Sequence, residues 1–233
     1  MKTISKYAAS VLVALTGLAV ALPANALPTL RITQDSNVQT VADNGVGDFV
    51  PINGLVFYLG TVGTYDINVS AYTKPYIGTA QSPSIDILSA QFSTSNAASE
   101  VVIEFSETDF NNISQAISLP SSIGGTTNGT VRYQTYASAS NSLFARDILL
   151  ADSGTMSGSF GDSFAFDDYA SIALNGDYSL TTVMTINHGN GTRINSSFNA
   201  TVEIPEPALI SLTTLSGLMF IAGLSARRRQ RRR

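Results

Sequence analysis

Polar and apolar residues alternate one by one through most of the middle of this chain, and that spacing decides what it can fold into. Tyr65, Ile67, Val69 and Ala71 alternate with Asp66, Asn68, Ser70 and Tyr72. Val101, Ile103 and Phe105 alternate with Val102, Glu104 and Ser106, and Val131, Tyr133 and Thr135 with Arg132, Gln134 and Tyr136. Successive side chains leave a strand on opposite faces, so a period of two sets one apolar face on a core and one polar face in water. Each segment is therefore expected to be a half-buried strand with one wet face. Further strands are expected at Leu55–Leu59, Ser84–Ser93, Ile148–Ala151, Thr155–Phe160 and Ser171–Leu174.

The clearest unit lies near the end of this region. Tyr178, Leu180, Thr182, Met184 and Ile186 form one face, and Thr192, Ile194, Ser196, Phe198, Ala200 and Val202 another. Between them His188-Gly189-Asn190-Gly191 has the composition of a tight turn, so the segment predicts a hairpin with an exposed histidine. Gly60-Thr61-Val62-Gly63 is expected to turn the chain, and Ser121–Gly129 to be a loop. A short helical turn is expected at Asp109–Ile117, capped by Asp109. No fixed-period repeat is visible. Many short strands with glycine-rich turns point to an all-β domain, here expected as a two-sheet antiparallel β-sandwich of jelly-roll type.

Both ends differ from this domain. Lys2 and Lys6 precede an uncharged apolar stretch, Val11–Leu22, and then Ala24-Asn25-Ala26, a small-x-small cleavage site. This is the pattern of a secretory signal peptide over 1–26, engaging the Sec translocon and signal peptidase, with Ala24 and Ala26 at the cut. At the other end Pro205-Glu206-Pro207 precedes Ala208–Ala226, an uncharged run, and then Arg227, Arg228, Arg229, Gln230 and three more arginines. A helix over 208–226 would nearly span a hydrocarbon core and satisfy its own backbone groups there. The basic tail 227–233, beginning at Arg227, Arg228 and Arg229, would hold that helix's end in the cytoplasm. Pro205 and Pro207 stop any helix from running back into the domain at 27–204.

In the order of motif, apolar run and arginine cluster over 205–233, the chain resembles the PEP-CTERM family of bacterial surface proteins. The resemblance implies that Pro205, Glu206 and Pro207 form a sorting motif read by an exosortase, a membrane-embedded processing enzyme. It also implies a transient inner-membrane intermediate. Cleavage near the motif would then release the domain to the cell surface or extracellular matrix of a Gram-negative, polysaccharide-making bacterium.

Charge narrows the function classes. Between Leu27 and Ile204 stand five basic and sixteen acidic residues, a net charge of −11 that the whole-chain value of −4 conceals. So acidic a surface does not neutralise phosphates, which excludes ordinary nucleic-acid binding. The chain has no cysteine, which removes disulfides, thiolate catalysis and a lipoprotein anchor together. Its one histidine, His188, is expected in solvent, which weighs against a Ser-His-Asp triad or a histidine zinc site.

Three chemistries remain open. Glu100, Glu104, Glu107 and Asp109 could supply two carboxylates for glycoside hydrolysis, although such a row reads more simply as a solvated face. Asp43 and Asp48, in Asp-Asn-Gly-Val-Gly-Asp, offer hard oxygens for calcium without matching an established loop spacing. Tyr58, Tyr72, Tyr76 and Tyr136 could present rings to a sugar, with Tyr72 and Tyr136 on faces opposite the apolar runs. The leading expectation is a non-enzymatic surface or matrix protein, exported, processed by an exosortase and associated with exopolysaccharide in biofilm. The alternatives are a carbohydrate-binding module and a glycan-active hydrolase.

Overall fold

The computed structural model describes residues 27–94, 99–111, 119–166, 176–188 and 194–203. The signal segment with Ala24 and Ala26, the strand at Ser171–Leu174, the Pro205–Pro207 motif, the apolar run 208–226 and the arginines from Arg227 onward lie outside these residues. Among the described residues no helix is long and apolar enough to cross a membrane.

Among the described residues ten strands follow one another: β1 (Thr29–Gln34), β2 (Asn37–Ala42), β3 (Leu55–Val62), β4 (Tyr65–Tyr72), β5 (Ser84–Thr94), β6 (Ser99–Phe110), β7 (Leu119–Ser138), β8 (Ile148–Phe166), β9 (Tyr178–His188) and β10 (Ile194–Glu203). The all-β antiparallel expectation holds. The strands do not divide into two separate sheets, however. They form one hydrogen-bonded path, β2-β1-β6-β9-β7-β10-β5-β4-β3, with β8 laid along β7.

The long strand β7 makes this continuity. Residues 121–127 pair with β10, residues 130–138 pair with β9, and β8 follows β7 from Leu119 to Ala137. β9 and β10 therefore lie one after the other along β7, both antiparallel to it. This overturns the expected hairpin. β9 is held between β6 and β7, and β10 between β5 and β7, so neither has an edge left to offer the other. Alternation assigns the faces of a strand correctly but says nothing of which strand sits beside it.

The same geometry explains why Ser121–Gly129 is strand and not loop. Here β7 passes from one neighbour to the next, and its register with β8 shifts between Thr127 and Thr130. A β-carbon at Gly125 would collide with the Ser197 carbonyl oxygen and stand 2.8 Å from Phe198 Cα. One at Gly129 would collide with the Asn187 carbonyl oxygen and stand 2.8 Å from His188 Cδ2. Glycine in a strand interior often marks such a close backbone approach. β8 likewise runs through Gly154 and Gly158, both at positive φ, and joins the two strands expected at Ile148–Ala151 and Thr155–Phe160.

The free ends of the path, β2 and β3, come together and curl the sheet nearly into a barrel. Gln34, closing β1, accepts the Thr64 N–H at 2.7 Å and donates to the Thr64 hydroxyl at 3.1 Å. This ties the β1–β2 turn to the β3–β4 turn, which is centred on Gly63 at φ +60°. The Phe49 N–H reaches the Phe57 carbonyl at 2.9 Å, drawing the β2–β3 connection onto β3. Closure of this kind covers the edges of β2 and β3, while β8 pairs with β7 alone among the described strands.

One core lies inside. Leu30, Ile32, Ile67, Ile87, Ile103, Phe105, Tyr133, Met184 and Ile186, drawn from both halves of the path, belong to a single buried cluster. Each large apolar side chain so buried contributes roughly 1.5–3 kcal/mol. The inward residues of β4, β6 and β7 are those their alternation marks. The expected wet face of β6 is different: Glu104 and Ser106 are buried as completely as Ile103 and Phe105. The connection after β7 lies over them, with the Phe144 N–H donating to Ser106 Oγ at 2.9 Å. Asp109 and Phe110 end β6 as strand, and residues 112–118, where the rest of the expected helical turn falls, lie outside the described residues. Asp109 sits at φ +59° and exchanges two hydrogen bonds with Asn141 of the same connection.

Candidate functional site

The carboxylates of β6 are not a solvated row. Glu104, 2% exposed, accepts Arg31 Nε at 2.5 Å and Arg31 Nη2 at 2.8 Å, and also binds Arg146 Nη2. The Arg31 guanidinium lies 3.9 Å over the Phe144 ring, and Arg146 lies 5.7 Å over Tyr136. Burial alone would raise the Glu104 carboxyl, but hydrogen bonds and charge from the two guanidiniums outweigh it and hold it below the usual range. Both oxygens are occupied, so the side chain fastens the 139–147 connection to the sheet. Glu104→Gln should therefore cost about 2 kcal/mol, less than a fully buried pair because both arginines are about a third exposed. Urea unfolding of the variant measures this, and an unchanged midpoint would refute it.

Glu107 stands three residues on and so faces the other side of β6. It is 2% exposed, takes a hydrogen bond from the Thr73 hydroxyl and lies 3.1 Å from Lys74 Nζ. Lys74 also donates to the Thr108 carbonyl at 2.6 Å and lies 4.3 Å over the Phe110 ring. Burial pushes the Glu107 carboxyl up to about 7, against the pull of Thr73 and Lys74. The two glutamates thus differ in proton affinity, as an acid and base pair would. They lie on opposite faces of one strand, each closed off from solvent.

His188 corrects the sequence reading most sharply. It is fully buried at the end of β9, its ring stacked on Tyr65 with centroids 5.8 Å apart. Nε2 meets Ser196 Oγ at 2.7 Å, and Ser196 Oγ meets Thr127 Oγ1 at 2.6 Å. Burial lowers its proton affinity, so the ring is neutral at pH 7. The chain of three polar groups pins β9, β10 and β7 together where β7 changes partner. With His188 and Ser196 both at 0% exposure, this pair has no surface to meet a substrate.

Asp43 and Asp48 close their own loop. Asp43 accepts the Gly54 N–H at 2.8 Å and Asn44 Nδ2 at 3.0 Å. Asp48 accepts the N–H groups of Asn44, Val50 and Phe57 at 2.9, 3.1 and 3.0 Å. Burial raises the Asp43 carboxyl, with the Gly54 N–H opposing. Among the described residues no set of three histidine or carboxylate side chains is placed to hold a metal.

The tyrosines separate. Tyr58 is buried in the core. Tyr136, half-buried, lies outside the β7–β9 region beneath Arg146. Tyr72 lies on the outer face of the other half, its ring 5.3 Å from that of Tyr76, which is 53% exposed. The two residues singled out from sequence, Tyr72 and Tyr136, therefore do not form one platform.

What the sequence did not reveal lies beside Tyr72. Tyr72 pairs with Asp86, Asp86 with Thr201, Thr201 with Ser122, and Ser122 with Ser163, a single row across β4, β5, β10, β7 and β8. Directly paired residues point to the same face, so these side chains line up on the outside of the sheet. Thr201 Oγ1 donates to Asp86 Oδ1 at 3.2 Å. Behind this row a cleft of about 460 Å³ opens, lined by Ser122, Gly124, Gly161, Asp162, Asn199 and Thr201 among others.

No family model matches this chain, and no curated protein matches it. Among solved structures, it is similar to an Arthrobacter globiformis T6 isomalto-dextranase complexed with panose, at 11% identity and a TM-score of 0.21. That match covers 77% of this chain, which spans about 30% of the other's length. Likeness at this level assigns neither fold nor activity.

Proposed function

We propose that this chain is an exported, non-enzymatic surface or extracellular-matrix protein of PEP-CTERM type, processed by an exosortase and associated with exopolysaccharide. The observation that carries this reading is the order of Pro205-Glu206-Pro207, the uncharged run Ala208–Ala226 and the arginine cluster from Arg227. The fold fits it in one respect. β10 ends at Glu203, still paired with Ser84, only one residue before the stretch that begins with Pro205. Prolines there cannot extend the strand's ladder, which suits a motif that a processing enzyme must read. A domain that closes its core without cysteine, and carries the acidic surface described above, suits life outside the cell.

The decisive measurement is mass spectrometry of the mature termini, from cells of a Gram-negative bacterium that has an exosortase. The expected mature chain begins at Leu27 and ends near Pro205–Pro207. Recovery of the intact chain from the cytosol would sink the proposal.

A second reading, a carbohydrate-binding module, is favoured by the Tyr72–Tyr76 ring pair beside a row of hydroxyl and carboxylate groups. The hydrolase alternative gains nothing comparable, because Glu104 and Glu107 are enclosed on opposite faces of β6.

A further inference from the structure

We infer that the cleft on the outer face of β10, β7 and β8 binds a neutral polysaccharide strand, which runs along the row from Tyr72 to Ser163. This deepens the polysaccharide association proposed above by giving it a site.

Two glycines form the floor of this cleft. Gly124 of β7 and Gly161 of β8 are paired directly opposite each other. Neither has a positive φ. A β-carbon on Gly124 would find its nearest neighbour 3.9 Å away, and one on Gly161 would find it 4.0 Å away. Neither backbone conformation nor packing calls for glycine at these two positions, in contrast to Gly125 and Gly129. What the missing side chains do is leave the floor of the cleft bare. The cleft's volume falls within the ordinary range for ligand sites.

The walls determine the ligand class. Ser122, Ser163, Asn199 and Thr201 present hydroxyl and amide groups on exposed or half-exposed side chains, with Asp86 held toward the row by Thr201. Such groups donate and accept hydrogen bonds in about equal measure, which matches a polyhydroxylated chain. At the far end of the row, Tyr72 and Tyr76 add a ring surface for the apolar face of a sugar. Five strands at about 4.8 Å spacing make the row roughly 19 Å long, which suits an oligosaccharide stretch better than a single sugar. Among the described residues no lysine or arginine lines the cleft, while Asp162 does. On a domain this acidic, an anionic glycan would be repelled, so the ligand is neutral. A peptide adding as a strand would lie along the outer edge of β8, which pairs with β7 alone among the described strands, and not across the face of β7 and β10, which are flanked on both sides.

The test is affinity electrophoresis of the full chain, kept soluble in a non-ionic detergent, through gels cast with hydroxyethylcellulose, galactomannan or soluble starch, and with alginate as the anionic comparison. Retardation is expected in at least one neutral gel and not in alginate. Gly124→Phe, which fills the floor without touching the core, should abolish it. Asn199→Ala, on the exposed wall, and Tyr72→Ala should weaken it, whereas Tyr136→Ala on the other half should not. Near-UV circular dichroism and the thermal midpoint confirm that each variant is folded. Absence of retardation in all three neutral gels would overturn the inference, as would retardation confined to alginate or left intact by both Gly124→Phe and Asn199→Ala. A failure of export or processing would leave the gel result unchanged, so the two readings fail separately.

Discussion

Gly125→Ala is expected to destabilise the fold by about 3 kcal/mol, while Gly124→Ala, one residue earlier, is expected to be neutral or slightly stabilising. The difference lies in what stands above each α-carbon. At Gly125 a methyl group meets the backbone of β10, at the Ser197 carbonyl oxygen and Phe198 Cα, and backbone in a sheet centre cannot step aside as a side chain can. At Gly124 the methyl enters the open cleft, and the alanine narrows the unfolded ensemble at no cost in packing. Urea unfolding of the two variants side by side gives the answer. Equal midpoints would mean that β7 and β10 do not approach each other as described.

The second large effect is a pH dependence assigned to one residue. Glu107 has an ordinary value of 4.5 and is pushed up to about 7 by burial. A raised folded-state value means the native protein holds a proton that the unfolded chain has already lost. The stability this gives is complete below about 4.5 and is lost as pH rises through about 7. Its size is on the order of 3 kcal/mol, moderated by Lys74, which stabilises the ionised form. Glu107→Gln keeps a neutral side chain at every pH. The stability of the native sequence minus that of the variant should therefore fall between pH 5 and 8, the contributions of Glu104, Asp152 and His188 cancelling in the subtraction. A difference that is flat with pH, or that rises, would show that Lys74 and Thr73 outweigh burial.

These two residues also show where sequence reading succeeds and where it stops. Alternation identified the inward faces of β4, β6 and β7 because burial on one side of a strand is a local property of the chain. It could not separate Gly124 from Gly125, since that depends on which strand lies alongside. It placed Glu104 and Glu107 in water because what covers them comes from distant parts of the chain, the connection after β7 over Glu104 and Thr73 with Lys74 over Glu107. His188 sat among glycines and had the composition of a turn residue, yet it is the buried pin between three strands. β1 and β2, short and only weakly alternating, gave too little signal to be found. Tyr72 was a sound candidate on its face alone, but the cleft beside it joins five strands, and no single segment carries its pattern.

The position of β10 has a mechanical consequence. It is bonded to β5 along its whole length and to β7 from Ser196 to Val202. Tension applied through residue 203 acts along the strand axis, so the rungs of both ladders share the load and slide together instead of opening one after another. An edge strand pulled sideways would unzip. A domain gripped at this end, with a polymer lying across the same strand, would hold under drag as a rivet holds in shear.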